Sequence, residues 1–255
     1  MKKIKLQAHR GVATDYPENT MSAFIGAKEQ GYDIIELDPS FTSDGEFLII
    51  HGPDVNRTGR LPNGEKIKEE KLIENTTLSE MRSYDFGIFK GEQFKGEKVP
   101  TLEEVLEFSK RENMPLKMDN KFEKFPKEKI QKFLDIIEKS NAPVEFTCAN
   151  HETIINLSKR FTKTRFHYDG LVTREILEEL SKHLTRERLV VWAPYKNEST
   201  SWVQVPFISE ELVKEISKYA QVGAWILTKQ SEFDDVKQYD VDIVETDGGI
   251  KPARA

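Results

Sequence analysis

Residues 33–51 read DIIELDPSFTSDGEFLIIH: two short apolar runs, at 34–37 and 47–50, separated by an Asp44-Gly45 turn. Runs rich in Ile, Leu and Phe and bounded by turn residues are strand signals. Side chains alternate faces along a strand, so Glu36 and Asp38, at the end of the first run, point the same way. Two carboxylates side by side at the end of a buried strand form a costly charge cluster. A hard divalent cation is the usual neutraliser. The second run ends on His51. Working outward, an earlier apolar run at 4–8 ends on His9 and is followed by Arg10-Gly11. Two acids, two histidines and an arginine, all at strand ends, make a site-like constellation that none of them makes alone.

The rest of the chain supplies a frame for these residues. Pro17-Glu18-Asn19-Thr20 reads as a helix start with Asn19 or Thr20 as N-cap, and Met21, Phe24, Ile25 and Ala27 form its apolar stripe. Thr101 and Glu104 have capping-box spacing and open a helix running to about residue 112. A strand is expected at 115–121. Beyond it, helices near 127–140, 150–161, 173–184 and 208–219 alternate with apolar runs at 144–148, 164–168, 189–193 and 222–227. A short helix opens at Ser231, and a final strand at 241–245 leads into Thr246-Asp247. Strands alternating with helices of this length imply βα units and a parallel sheet.

The nine strand candidates are one more than a (β/α)8 TIM barrel needs. The surplus lies in the opening stretch, because the segment from 38 to 47 is too short for a helical crossover. A missing helix or an irregular strand is therefore expected there. A doubly wound open sheet is the alternative fold, but no glycine-rich phosphate loop follows the first strand. Residues 52–100 change character, with glycines at 52, 59, 64, 87, 91 and 96 and a charged run at 66–71. They read as an insertion of about fifty residues, a lid or small subdomain. The expectation is thus an α/β chain: one barrel domain over 1–255 carrying an insertion at 52–100.

Composition narrows the partners. The 255 residues carry a net charge of -6 with both signs spread along the chain. That argues against nucleic acid or an anionic membrane as partner, while leaving room for a local basic pocket for phosphate. A lone cysteine, Cys148, excludes an internal disulfide and reads as core. The Met1-Lys2-Lys3 start lacks the apolar run of a signal peptide, and no window approaches the ~20 apolar residues of a membrane span. A soluble, cytoplasmic protein acting on a small molecule, without stable membrane association, is expected.

In the strand at 115–121, alternation puts Lys117, Asp119 and Lys121 on one face. Asp119 then reads either as a third acid beside Glu36 and Asp38, with Lys121 as phosphate partner, or as part of a salt-bridged strand edge. Three carboxylates without thiolates would favour Mg²⁺ or Ca²⁺ over zinc. His9 and His51 titrate near neutrality and suit acid–base work, although an isolated histidine more often packs or caps. His151, His167 and His183 are assigned to packing, the first and last on expected helices. Trp192 and Trp225, near the ends of late strands, read either as pocket lining or, more commonly for aromatics, as core filling, and the tract from Trp202 to Ile208 reads as an apolar loop.

Taken together, these residues resemble the glycerophosphodiester phosphodiesterase family. The likeness rests on His9-Arg10-Gly11, Pro17-Glu18-Asn19-Thr20, Ala23-Phe24, Glu36-Leu37-Asp38, Thr42-Ser43-Asp44-Gly45, His51 and Arg57-Thr58. It continues through Pro100-Thr101-Leu102-Glu103-Glu104, Asp119-Asn120-Lys121 and Thr246-Asp247, in order along nearly the whole chain. The resemblance implies a TIM barrel with an insertion and one divalent cation, Mg²⁺ or Ca²⁺, held by Glu36, Asp38 and Asp119. It also implies His9 and His51 as the acid/base pair and Arg10 and Lys121 as phosphate contacts. The implied reaction is hydrolysis of glycerophosphodiesters to an alcohol and glycerol phosphate.

Three departures from the family pattern stand out. His51 is followed by Gly52 where the family has His-Asp. Asp119 replaces the glutamate of an E-x-K motif, which sets the carboxylate about 1.5 Å further back and is expected to loosen the site or alter its metal preference. The terminal T-D-x-P becomes Thr246-Asp247-Gly248-Gly249. The rival readings are a phospholipase-type phosphodiesterase or cyclising lyase on lipids, and a phosphodiester-binding protein with little turnover.

Overall fold

A computed structural model describes residues 2–252. Among them, ten strands form: β1 (Lys5–Ala8), β2 (Ile34–Leu37), β3 (Pro39–Phe41), β4 (Phe47–Ile49), β5 (Leu116–Met118), β6 (Val144–Cys148), β7 (Phe166–Tyr168), β8 (Leu189–Pro194), β9 (Gln221–Leu227) and β10 (Ile243–Thr246). Eight of them close a parallel barrel in the order β1-β2-β5-β6-β7-β8-β9-β10. Closure is sealed where β10 pairs with β1, Lys5 opposite Ile243 and Ala8 opposite Thr246. An open doubly wound sheet is thereby excluded.

The helices are α1 (Met21–Gln30), α2 (Leu78–Met81), α3 (Leu102–Glu112), α4 (Lys127–Ser140), α5 (His151–Arg160), α6 (Arg174–Ser181), α7 (Glu210–Ser217) and α8 (Gln230–Val236). Their ends follow the sequence signals. Thr20, rather than Asn19, caps α1 by accepting the Ala23 N–H, and Thr101 with Glu104 forms a reciprocal capping box on α3. His183 lies just past the end of α6 instead of within it.

The surplus strand has a different origin from the one expected. Neither a helix is missing nor a barrel strand irregular in the opening stretch. Instead β3 and β4 pair antiparallel as a separate hairpin, Pro39 opposite Ile49 and Phe41 opposite Phe47. Pro39, directly after Asp38, cannot donate to a ladder, so the barrel strand stops at Leu37 and the chain turns away. It returns to the barrel through α3, which serves as the crossover from β2 to β5.

Between the hairpin and α3, residues of the 52–100 segment build a second apolar cluster. Val55, Ile73, Met81, Tyr84, Phe86 and Val99 pack with Leu48 and Ile50 of the hairpin region. Asp85 organises it by accepting the N–H groups of Gly87, Ile88 and Gly96 at 2.8, 2.9 and 2.6 Å.

The barrel lumen is filled by Ile34, Val190, Trp192 and Ile243, together with a buried polar layer. Lys117 and Glu245 pair at 2.8 Å, both nearly inaccessible. His167 is fully buried, its Nε2 2.6 Å from Glu145 while its Nδ1 accepts the Trp192 indole N–H at 2.9 Å. Burial, only partly offset by Glu145, lowers the His167 ring to about 4, so this histidine stays neutral as a packing element. No helix among the described residues is long and apolar enough to cross a membrane.

Candidate active site

The C-terminal ends of barrel strands gather side chains from segments distant in the chain. Here they surround a cavity of about 240 Å³, and His9, Arg10, Glu36, Asp38, His51, Asp119 and Lys121 all line it. Glu36 and Asp38 arrive together from β2. Asp119 comes from the end of β5, which is shorter than the sequence pattern predicts: Met118 ends the strand and Asp119 caps a 3-10 turn by accepting the Lys121 N–H at 3.1 Å. The ligand oxygens of Glu36, Asp38 and Asp119 lie within 4.8 Å of one another.

The three acids are held differently. Asp38 accepts from Asn19 Nδ2 at 2.8 Å and Lys121 Nζ at 2.6 Å, with Arg10 Nε at 3.2 Å. Burial works against its charge, but Lys121, Arg10 and His51 hold it well below the ordinary carboxylate range. Asp119 also meets Lys121 Nζ, at 2.9 Å. Glu36 has the Arg10 backbone N–H at 3.0 Å. Burial and the neighbouring Asp38 charge push its proton affinity up. A buried carboxylate under such pressure, in an all-oxygen donor set, fits a hard divalent cation.

Arg10 and His51 are positioned by backbone geometry. Arg10 and Gly11 both take left-handed conformations, φ 55° and 82°. A Cβ on Gly11 would lie 2.6 Å from Ala23 Cβ, so only glycine lets this turn rest on α1. The Arg10 guanidinium reaches Glu18 at 3.0 Å, and Arg57 bonds the same carboxylate while also donating to the His51 carbonyl at 3.2 Å. Glu18 thus links the loop after β1 to the loop bearing His51. Gly52 has φ 97°, and a would-be Cβ would meet only Arg57 Nε, at 3.6 Å, so the departure from His-Asp coincides with a backbone conformation that favours glycine.

The two histidines sit in contrasting environments. His9 places Nδ1 2.5 Å from Asp247 Oδ1 and Nε2 3.9 Å from Glu36 Oε2. Burial disfavours its charged form, yet the Asp247 hydrogen bond and the charges of Glu36 and Glu245 outweigh this and lift the ring to about 9. His51 has a buried Nδ1 without a hydrogen-bond partner. Burial leads its shift, Asp38 opposes it, and Arg10, Lys121 and Arg57 reinforce it, taking the ring down to about 4. At neutral pH one ring therefore carries a proton to give and the other has a free lone pair.

Several neighbours of these groups escaped the sequence reading. Asp247 carries no role of its own in the sequence pattern, although its place just beyond the last strand is a usable signal. Asn19, read as a candidate cap, clamps Asp38. Lys117 and Glu245 line the cavity as a pair, and Asp169 does so after β7. Burial and the Asp119 charge push the Asp169 carboxyl up to about 6. Trp192 and Trp225 fulfil both sequence readings, facing the cavity as well as packing in the lumen.

The chain as a whole has parallels among known proteins. The model of the glycerophosphoryl diester phosphodiesterase family matches residues 9–248. A glycerophosphodiester phosphodiesterase of Caldanaerobacter subterraneus subsp. tengcongensis is 46% identical over 105 residues, 41% of this chain and 40% of that protein. One from Bacillus altitudinis is 39% identical over 103 residues, 40% of this chain and 39% of that protein. The chain thus matches about two fifths of the length of these curated relatives. Among solved structures, an Oleispira antarctica phosphodiesterase in complex with the product sn-glycerol-3-phosphate superposes with a TM-score of 0.74 at 22% identity, covering 96% of this chain and 93% of that one. A glycerophosphoryl diester phosphodiesterase from Parabacteroides distasonis gives 0.73 at 17% identity, covering 96% and 83%. Structural likeness at such identities shows the shared barrel fold; with the family model spanning nearly all of the sequence, the chain belongs to the glycerophosphoryl diester phosphodiesterase family.

Proposed function

We propose that this chain hydrolyses glycerophosphodiesters to an alcohol and glycerol phosphate, using one divalent cation, Mg²⁺ or Ca²⁺, and a His9/His51 acid–base pair. The observation that carries the reading is the convergence of Glu36, Asp38 and Asp119 within 4.8 Å, in one cavity with Arg10, Lys121 and both histidines. The names of the curated relatives and the product held by the Oleispira antarctica neighbour support the substrate class.

Glu36, Asp38 and Asp119 would hold the cation, which when bound supplies positive charge against the phosphate oxygens and the charge that builds there in the transition state. The residues of the chain do the rest. Arg10 offers a planar fork suited to a phosphate oxygen pair, and its ion pair with Glu18 keeps that fork aimed at the cavity. Lys121 adds a second fixed positive charge. His51, neutral at working pH, accepts the proton of the attacking hydroxyl, from water, which gives glycerol phosphate directly, or from a neighbouring glycerol hydroxyl, which gives a cyclic phosphate that a water then opens to glycerol phosphate with the two imidazoles in exchanged roles. As the new P–O bond forms and the bond to the departing alcohol breaks, His9 delivers its Nε2 proton to the leaving oxygen. Asp247 keeps the His9 proton available by holding the opposite ring nitrogen.

The test is alcohol release from glycerophosphodiesters after chelation and after Mg²⁺ or Ca²⁺ is restored. Turnover that a chelator leaves untouched rejects the reading, as does turnover retained in both His9→Ala and His51→Ala.

A further inference from the structure

Both carboxylate oxygens of Asp38 are engaged by the protein itself. Its Oδ2 accepts from Asn19 Nδ2 at 2.8 Å and lies 3.2 Å from Arg10 Nε, while its Oδ1 accepts from Lys121 Nζ at 2.6 Å. Lys121 Nζ also reaches Oδ1 of Asp119, at 2.9 Å. One ammonium therefore spans two of the three acids that would hold the cation. Calcium sits about 2.3–2.6 Å from its oxygen ligands, so an ion bridging these same two oxygens and the ammonium would claim one space.

We infer that Lys121 is the internal counter-ion of this site: a divalent cation enters by displacing the ammonium from Asp38 and Asp119, and the displaced ammonium is the one that turns to the substrate phosphate. This exchange rests on the metal assignment proposed above and adds how that site is loaded.

Among the groups on Asp38, Lys121 is the one able to leave. Asn19 is buried, and its N–H is bonded to the Arg10 carbonyl at 3.0 Å. The Arg10 guanidinium is anchored on Glu18 at 3.0 Å. The Lys121 side chain is 33% exposed, and among the described residues its Nζ has no partner besides the two acids. What is fixed is its base: the Lys121 N–H bonds Asp119 Oδ1 at 3.1 Å, within the 3-10 turn that follows β5. A flexible four-carbon stem on a fixed base lets the ammonium move while the acids stay in place.

The balance of charge points the same way. Arg10 remains beside Asp38 whether or not Lys121 does, so the exchange never leaves that buried carboxylate bare. A divalent ion brings two charges where the ammonium brought one, and an ammonium kept against the ion would meet strong repulsion at such range. The phosphate is the counter-charge that the vacated ammonium finds next, beside the Arg10 fork.

Calorimetry with Ca²⁺ alone and with Mg²⁺ alone, on the unmodified protein and on Lys121→Met, reads the competition. Apparent affinity falls by the fraction of molecules whose site is open, so a site closed by Lys121 in about nine molecules of ten predicts binding about tenfold tighter in Lys121→Met. Loss of a nearby positive charge would by itself tighten binding, so a second readout uses the unmodified protein. Reductive methylation followed by peptide mass spectrometry measures the reactivity of each lysine. Lys121 should gain severalfold when Ca²⁺ is added, whereas Lys117, paired with Glu245, should not change. Unchanged cation affinity in Lys121→Met overturns the inference, and so does Lys121 reactivity that stays level or falls with Ca²⁺, whatever the affinities do. Mg²⁺ should also strengthen binding of sn-glycerol 3-phosphate more in the unmodified protein than in Lys121→Met; equal strengthening overturns the transfer to phosphate. None of these readouts needs turnover, so a protein that shows the exchange and hydrolyses no glycerophosphodiester refutes the phosphodiesterase reading alone.

Discussion

Nδ1 of His9 lies 2.5 Å from Oδ1 of Asp247, which brings the end of the first barrel strand and the segment after the last one into a single hydrogen-bonded pair. Barrel closure makes this possible, since the His9 N–H also bonds the Thr246 carbonyl at 3.0 Å. The pair stores a proton at neutral pH, in contrast to His51, whose ring is held near 4.

A bell-shaped pH dependence of kcat/KM follows, and its limbs can be assigned. Activity should fall as pH drops through the lowered His51 value, where the base becomes protonated, and as pH rises through the raised His9 value, where the acid is lost. Asp247→Asn removes the carboxylate that raises His9, so the alkaline limb should move to lower pH and kcat should fall. The acid limb should stay in place. Stability should follow in sign: the His9 contribution is whole below its ordinary value of 6.5 and disappears as pH rises toward about 9. An alkaline limb unmoved in Asp247→Asn would remove His9 from the role of acid.

Removing either imidazole should be costly in rate and nearly neutral in substrate affinity. General acid–base catalysis contributes typically about 100- to 10,000-fold, so His9→Ala and His51→Ala should each lose kcat on that scale. KM should change far less, because Arg10 and Lys121 remain. A diester with a strongly acidic leaving alcohol needs little protonation and should rescue His9→Ala far more than His51→Ala; steady-state kinetics with a nitrophenyl leaving group makes the comparison.

Glu36 offers a metal test independent of turnover. Its raised proton affinity means that the folded chain binds this proton more tightly than the unfolded chain. Without divalent cation, stability should therefore decline as pH rises above the ordinary carboxylate value. Glu36→Gln should flatten that decline and make the metal-free protein more stable at neutral pH. It should also abolish the gain in Tm that Mg²⁺ or Ca²⁺ confers by binding the folded state. Thermal melts across pH, with chelator and with cation, read both effects.

Lys117 and Glu245 form a buried pair whose halves depend on each other. Lys117→Met leaves the Glu245 carboxylate buried near Glu36 with no ammonium partner and should cost about 3–5 kcal/mol of stability. The double variant Lys117→Met/Glu245→Gln should recover most of the loss. Denaturant melts of the three variants measure the coupling, and additive losses would show the pair to be energetically independent.

How much of this was legible beforehand depends on the range of the interactions concerned. The order of strands and helices is written locally, in periodicity, capping residues and turn chemistry, and it led to the barrel. Placing Glu36 and Asp38 on one face required only the two-residue repeat of a strand. The ends of the neighbouring apolar runs added His9, Arg10 and His51, alternation along the strand at 115–121 offered Asp119 and Lys121, and the family resemblance gave them roles; the fold brings all of them to one cavity. The hairpin of β3 and β4 was half legible: its second strand was read, but its partner, begun by Pro39, carried no strand pattern.

Tertiary structure alone decided what depended on barrel closure and on burial. No local signal says that Asp247 meets His9, that Lys117 faces Glu245, or that Trp202 settles beside Trp225, because these partners are joined by circumference and not by sequence spacing. Burial likewise separated two chemically identical imidazoles, giving one a carboxylate partner and leaving the other unpaired among cations. Proton affinity is a property of surroundings, and the surroundings exist only once the strands have closed into a ring.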